Sequence, residues 1–161
     1  MDSQELEVDK DVRRAFDYFA SYLKQDVWKK RRTAIESQIE SFHSSEPGAR
    51  LSIADDRSGW YLYLIECFLF DQQKYEPLQG CRILPIFKRL GEDLELLKQI
   101  HGIDRKINAL LNRDLQNPDT TLFEILIALL WKRNGWPLVE FIDESATEKT
   151  ADIRATSDVD E

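Results

Sequence analysis

Cysteine is scarce: Cys67 and Cys81 are the only two in 161 residues. They lack the CxxC spacing of a zinc or redox site and the density of a disulfide scaffold. Both lie in apolar or mixed segments and are expected to be buried, reduced thiols. Glycine and proline are also few, at six and five, which excludes collagen-like and low-complexity chains. No apolar run reaches the ~20 residues of a membrane span. The stretches that come nearest, Trp60 to Phe70 and Leu122 to Trp131, are interrupted by Glu66 and Glu124. Several motifs are missing as well. There is no P-loop and no GxGxxG to cradle phosphate, no GxSxG elbow for a serine nucleophile, and no HExxH beside His43 or His101. The acidic start Met1-Asp2-Ser3-Gln4-Glu5 lacks the apolar core of a signal peptide. The expectation is a cytoplasmic protein with no membrane contact.

Charge, by contrast, is abundant, at 32% of residues with a formal net charge of −8. It is unevenly placed. Residues 1–11 carry five acids against Lys10, and residues 140–161 carry eight against Lys149 and Arg154, so the middle of the chain is slightly basic. An acidic total therefore leaves room for a local phosphate-binding face. The one concentrated basic run is Trp28-Lys29-Lys30-Arg31-Arg32. With Arg13 and Arg14 it offers cations for a nucleic-acid backbone and an indole for stacking. The competing reading is a solvated helix face paired with neighbouring acids.

Apolar spacing dictates helices. Val12, Phe16, Phe19, Ala20 and Leu23 recur at helical spacing, and Trp28, Ile35, Ile39 and Phe42 continue the period, as two helices or one long bent one. Ser44-Ser45-Glu46-Pro47-Gly48 opens the longest expected loop, which runs to Gly59. Trp60 to Tyr75 is apolar on nearly every side, the pattern of a central helix covered by its neighbours. The aromatics Trp60, Tyr61, Tyr63, Phe68 and Phe70 are read as core, with some available to a partner surface. After Pro77 and Gly80, the stripe Ile86, Leu90, Leu94, Leu97 and Ile100 predicts one helix with Pro85 in its first turn and Gly102 beyond its end. His101, just before Gly102, suits the negative end of that helix. Ile103, Ile107, Leu110, Leu111 and Leu115 predict another, stopped by Asn117-Pro118.

Thr121-Leu122-Phe123-Glu124 has the form of a capping box opening an apolar helix to about Asn134, closed by Gly135. Trp136 to Ile142 has strand composition, Asp143 to Lys149 reads as a turn, and Thr150 to Ala155 is the expected returning strand. The fold expected is thus mainly α, a bundle-like domain of about five or six helices with a short C-terminal β-hairpin. Residues 1–117 would form the helical module and 118–155 the helix plus hairpin. Residues 156–161 would be an acidic tail or a truncation point, because a lone hairpin with an open edge is marginal in water. That edge is an expected place for a protein partner or self-association.

The run Leu122 to Ala128, then Asn134-Gly135-Trp136, then Val139 to Ile142, then Lys149-Thr150-Ala151-Asp152-Ile153 resembles the opening of a PD-(D/E)xK nuclease core. The resemblance covers about residues 119–155. It implies a helix carrying a Glu, a first strand, a second strand presenting an Asp and a third presenting (D/E)-x-K. Glu124 and Asp152 match the first two acids and become candidate ligands for Mg²⁺, which would polarise the phosphodiester and activate water. No (D/E)-x-K follows Asp152 before Glu161, Lys149 does not fill that position, and Ala151 stands where the family often has Pro. The resemblance therefore implies a helical module plus a nuclease-like opening that is inactive alone, with nucleic acid a partner of a full-length form. Glu124 has a second reading as the capping partner of Thr121, and Asp152 as an ordinary strand-edge acid. The alternative to the nuclease-like reading is a non-enzymatic helical protein–protein interaction domain.

Overall fold

In a computed structural model of the chain, which describes residues 3–43, 53, 55–112, 115–142 and 152–157, seven helices precede a two-stranded hairpin. The order is α1 (Ser3–Ala20), α2 (Gln25–His43), α3 (Arg57–Phe70), α4 (Pro77–Glu92), α5 (Leu94–Leu97), α6 (Ile103–Asn112), α7 (Pro118–Arg133), β1 (Leu138–Phe141) and β2 (Ile153–Thr156). This is the mainly α architecture with a C-terminal hairpin that the sequence predicts.

The centre is α3. Trp60 through Ile65 and Cys67 are all buried, since a helix apolar all round is stable only with neighbours on every side. Asp56 starts it, its Oδ1 accepting the Gly59 N–H at 2.9 Å. On one side α1 packs along α4, with Phe19 against Phe87 at 5.3 Å between ring centroids. The backbones come close enough that Gly91 has no room for a side chain: an added Cβ would lie 1.8 Å from the carbonyl oxygen of Asp11. On another side α2 lies against α3, with Ile35 buried between them.

Several local expectations change. The stripe from Ile86 to Ile100 is not one helix. Pro77 occupies the first turn of α4, whose N-cap Glu76 accepts the Leu78 and Gln79 N–H groups, so Pro85 falls in the helix interior rather than at its start. It is tolerated there because Pro85 and Cys81, whose carbonyl would have received the missing N–H, both lie on the exposed face. The same placement corrects the reading of the cysteines. Cys67 is buried but Cys81 is exposed, on the outer face of α4 with Leu78 and Arg82. The chain breaks at Asp93 and resumes as α5. Gly102 does adopt the left-handed conformation (φ +80°), here between a turn and α6. α6 ends at Asn112, and Pro118 opens α7 rather than closing what precedes it. The long-loop expectation falls largely on residues outside those described, as does the 143–149 turn.

The hairpin pairs antiparallel in the register Leu138–Thr156, Val139–Ala155, Glu140–Arg154 and Phe141–Ile153. Val139 and Phe141 are buried, and Ile153 and Ala155 pack half-buried against the same core. Outside, Arg154 makes 2.5 and 2.6 Å contacts to Oε1 of its cross-strand partner Glu140. The other edge of β1 is also used: the His101 N–H donates to Val139 O at 3.0 Å, and Phe141 N–H donates to His101 O at 2.9 Å. His101 thus acts through its backbone, with its side chain exposed. Among the described residues, the sheet's unpaired edge is that of β2. No described helix is long and apolar enough to cross a membrane.

Candidate functional site

Glu124 sits in the second turn of α7, because that helix begins four residues earlier than a capping box with Thr121 as N-cap requires. Thr121 is buried inside the helix. Asn117 holds the N-cap without a side-chain bond, Pro118 fills N1, and Asp119 supplies the acid of the first turn. The capping role proposed for Glu124 is therefore absent. Its carboxylate lies instead against the ammonium of Lys106 on α6, both side chains less than a quarter exposed. Lys106 also stands over the Phe141 ring at 5.5 Å, so one lysine touches α7 and β1 together. Asp152 is at the bend entering β2, where its carbonyl accepts the Ile142 N–H at 3.1 Å and its side chain is exposed.

These placements decide how well a divalent ion fits. Glu124 is already neutralised by a cation, and no group of three or more His, Cys, Asp or Glu side chains among the described residues is arranged to hold a metal. The described residues do not make a complete Mg²⁺ site, and no metal-dependent step follows from them. The Lys106–Glu124 pair has its own expected signature. Removing either partner leaves a partly desolvated charge unpaired, at a cost of about 1–3 kcal/mol. Lys106→Met and Glu124→Gln should each lower the urea midpoint, and the double variant should cost less than their sum. Strict additivity would mean that the pair carries no coupling.

The basic run does not form one exposed face. Lys29 and Lys30 are exposed, whereas Trp28, Arg31 and Arg32 are half-buried. The Trp28 indole N–H points to Glu66 Oε1 at 3.4 Å, and Arg32 lies 3.4 Å from the same oxygen and 3.5 Å from Glu36. Arg31 is turned furthest inward. Its Nε and one terminal nitrogen donate to the two Asp56 oxygens at 2.6 and 2.5 Å, and the other terminal nitrogen donates to Leu111 O at 2.6 Å. This places a bidentate ion pair between α2, the N-cap of α3 and the end of α6. Arg31 is thus a tie between three helices, and the Trp28 indole N–H is turned toward Glu66. His43 has its side chain outside the described residues.

Nothing in the periodicity announces a concavity found among the described residues. A cleft of about 800 Å³ opens between α2, α3 and the segment leading into α4, within the range of small-molecule sites. Its base is Trp60 stacked on Tyr63, ring centroids 5.6 Å apart and planes 19° from parallel. The Trp60 indole is oriented by its N–H donating to Gln79 Oε1 at 2.7 Å. Ile39 and Tyr75 line it, and Leu78, 81% exposed, stands at its rim. Glu36, Glu40, Lys74 and Glu76 bring charge to the opening. The hydrogen bond from Lys74 Nζ, 3.0 Å from Glu36, holds the Glu36 carboxyl below its ordinary range, reinforced by the charges of Lys74 and Arg32. A sequence signal existed in the cluster of Trp60, Tyr63 and Tyr75, but the same residues read equally well as core.

Cys67 offers no nucleophile: burial pushes its thiol up, further than a hydrogen bond with Tyr63 lowers it. Compared with family models, curated proteins and solved structures, the chain matches none.

Proposed function

We propose that this chain joins a helical module to the opening helix and hairpin of a PD-(D/E)xK nuclease-like core, and that the described part is inactive alone. One observation carries the reading: the order of α7, β1 and antiparallel β2, with Glu124 on the helix, Asp152 leading into β2, and, among the described residues, the free sheet edge on β2. A third strand bearing (D/E)-x-K would have to join at β2, because the other edge of β1 is taken by His101. Mg²⁺ would be the cofactor of the completed site and nucleic acid its substrate. Glu124 would then serve mainly as the partner of Lys106, and Asp152 would be the acid open to a metal.

The test is cleavage of supercoiled plasmid, with Mg²⁺ and with Mn²⁺, by the protein purified from its native source, whose intact mass is measured in parallel. The reading expects a mass above 18.9 kDa and metal-dependent cutting. A mass of 18.9 kDa without cutting rejects it.

A second reading, a non-enzymatic interaction module, draws on the hairpin's packing against the helices through Val139, Phe141, Ile153 and Ala155. It also draws on the exposed pair Phe123 and Leu130, seven residues apart on the outer face of α7. It expects slow amide exchange at Val139, Phe141 and Ile153 and a sedimentation coefficient that rises with concentration. Rapid exchange through the hairpin together with a concentration-independent monomer would remove it.

A further inference from the structure

We propose that the outer face of α7 pairs with the same face of a second copy of this chain, as an antiparallel helix pair about a twofold axis near Leu126 and Ile127. The face is set by spacing. Asp119, Phe123, Leu126, Leu130 and Arg133 follow one another in steps of four, three, four and three, which places them on one stripe of the helix. The stripe lies opposite Leu122, Ile125 and Leu129, which are buried in the core. Phe123 is 63% and Leu130 51% exposed, the side chains of Asp119 and Arg133 are 51% and 50% exposed, and Leu126 is half-buried. α7 is thus apolar on opposite sides, as α3 is, yet among the described residues its outer side stands open. What selects a second copy is that the stripe is complementary to itself. Turned end to end, it sets Phe123 of one copy over Leu130 of the other and brings the acid at its head beside the base at its tail. A parallel pair would instead set Asp119 against Asp119 and Arg133 against Arg133, and would align the helix dipoles. Asp119 also holds Arg57 and Tyr61, and Arg133 lies 3.6 Å from Asp93, which Arg89 approaches equally. The charged ends therefore choose the orientation, and the apolar middle supplies the affinity. The pairing rests on the interaction-module reading and names the partner for it; it does not use the β2 edge on which the nuclease-like reading depends.

The experiment is sedimentation velocity of the full chain from about 1 to 500 μM, with hairpin amide exchange measured on the same sample. A reversible dimer with a Kd on the order of 10–100 μM is expected of a contact this small. Phe123→Glu, at an exposed position, should weaken it about tenfold or more. Arg133→Glu, which sets an acid beside Asp119 of the other copy, should weaken it about threefold or more. Both should keep the melting temperature within about 2 °C of wild type. Orientation is read from disulfides: in chains that also carry Cys81→Ser, Phe123→Cys mixed with Leu130→Cys should yield mainly the mixed disulfide, and either alone much less. A monomer throughout the concentration range overturns the pairing; with slow exchange at Val139, Phe141 and Ile153 the interaction-module reading survives it, and with rapid exchange both fall. Unchanged dimerisation in Phe123→Glu, or homodisulfides as abundant as the mixed one, would also overturn the proposal.

Discussion

Gly91→Ala should be among the most destabilising single substitutions in this protein, although it adds one methyl group to a helix and improves helix propensity. The new Cβ would fall 1.8 Å from the Asp11 carbonyl oxygen. That neighbour is backbone inside α1 and cannot turn aside as a side-chain end would. Relief requires moving α1 away from α4, which opens the packing around Phe19, Phe87 and Leu90, all buried. Overpacking of this kind costs about 3 kcal/mol, or a fall of roughly 6–12 °C in Tm for a domain of this size. Gly135→Ala is the control. Unlike Gly91 it sits at positive φ (+87°), and nothing lies within 4 Å of an added Cβ, so only the left-handed backbone is penalised, by about 1 kcal/mol. Thermal unfolding of both variants by circular dichroism distinguishes them. Equal losses would mean that the α1–α4 approach is looser than described.

Arg31→Ala should rival it. The guanidinium makes two bonds to Asp56, one to the Leu111 carbonyl and a fourth to Ser58 Oγ at 3.0 Å, with the two charged side chains only 13% and 20% exposed. Truncating the arginine leaves the Asp56 carboxylate largely desolvated. It also frees the group that caps α3 to rotate away from the Gly59 N–H. Breaking such a pair costs about 3 kcal/mol. Asp56→Ala should cost a similar amount, since it strands the arginine and removes the cap together. Lysine should rescue little, because one ammonium cannot reproduce the planar fork that reaches Asp56 and Leu111 at once. Chemical denaturation of the three variants provides the readout. Full rescue by Arg31→Lys would show that charge alone matters there.

How far the fold is legible from sequence follows from which interactions are local. α3 stands out because an apolar run with one interior acid has few alternatives, and the hairpin stands out because β-branched and aromatic residues follow a clear helix stop at Gly135. Boundaries that depend on competing caps are harder. Thr121 and Glu124 make a good capping box, yet Pro118 at N1 with Asp119 behind it starts α7 earlier, and tertiary contacts of Asp119 favour that start: it holds Arg57 at 2.6 Å and accepts the Tyr61 hydroxyl at 2.7 Å. Likewise the stripe of leucines through Asp93 has a helical period on both sides of a real break, because α4 and α5 both bury apolar residues into the same core. The basic run misleads for the same reason. Its spacing says only that five residues share a helix; it is Asp56, 25 residues away, that turns Arg31 inward, and Glu66 that engages Trp28 and Arg32.

The candidate site is legible only in part. Glu124 is on a helix and Asp152 at the bend before β2, but Lys106 is 18 residues upstream of Glu124 in another helix, and nothing in the sequence marks it as the partner of Glu124. The cleft is less legible still, because it is assembled from three separate segments whose aromatics double as core.

The nuclease-like reading stands or falls on Asp152, the one candidate acid left exposed at the entrance to β2. The decisive measurement is the rate of Mg²⁺-dependent plasmid nicking by the native-length protein with Asp152→Asn beside wild type, an isosteric change at an exposed position that should leave the melting temperature within about 1 °C. A loss of about a hundredfold or more, with folding intact, is the expected result. Nicking at the wild-type rate in Asp152→Asn would contradict the assignment and leave the helices and hairpin as a binding module.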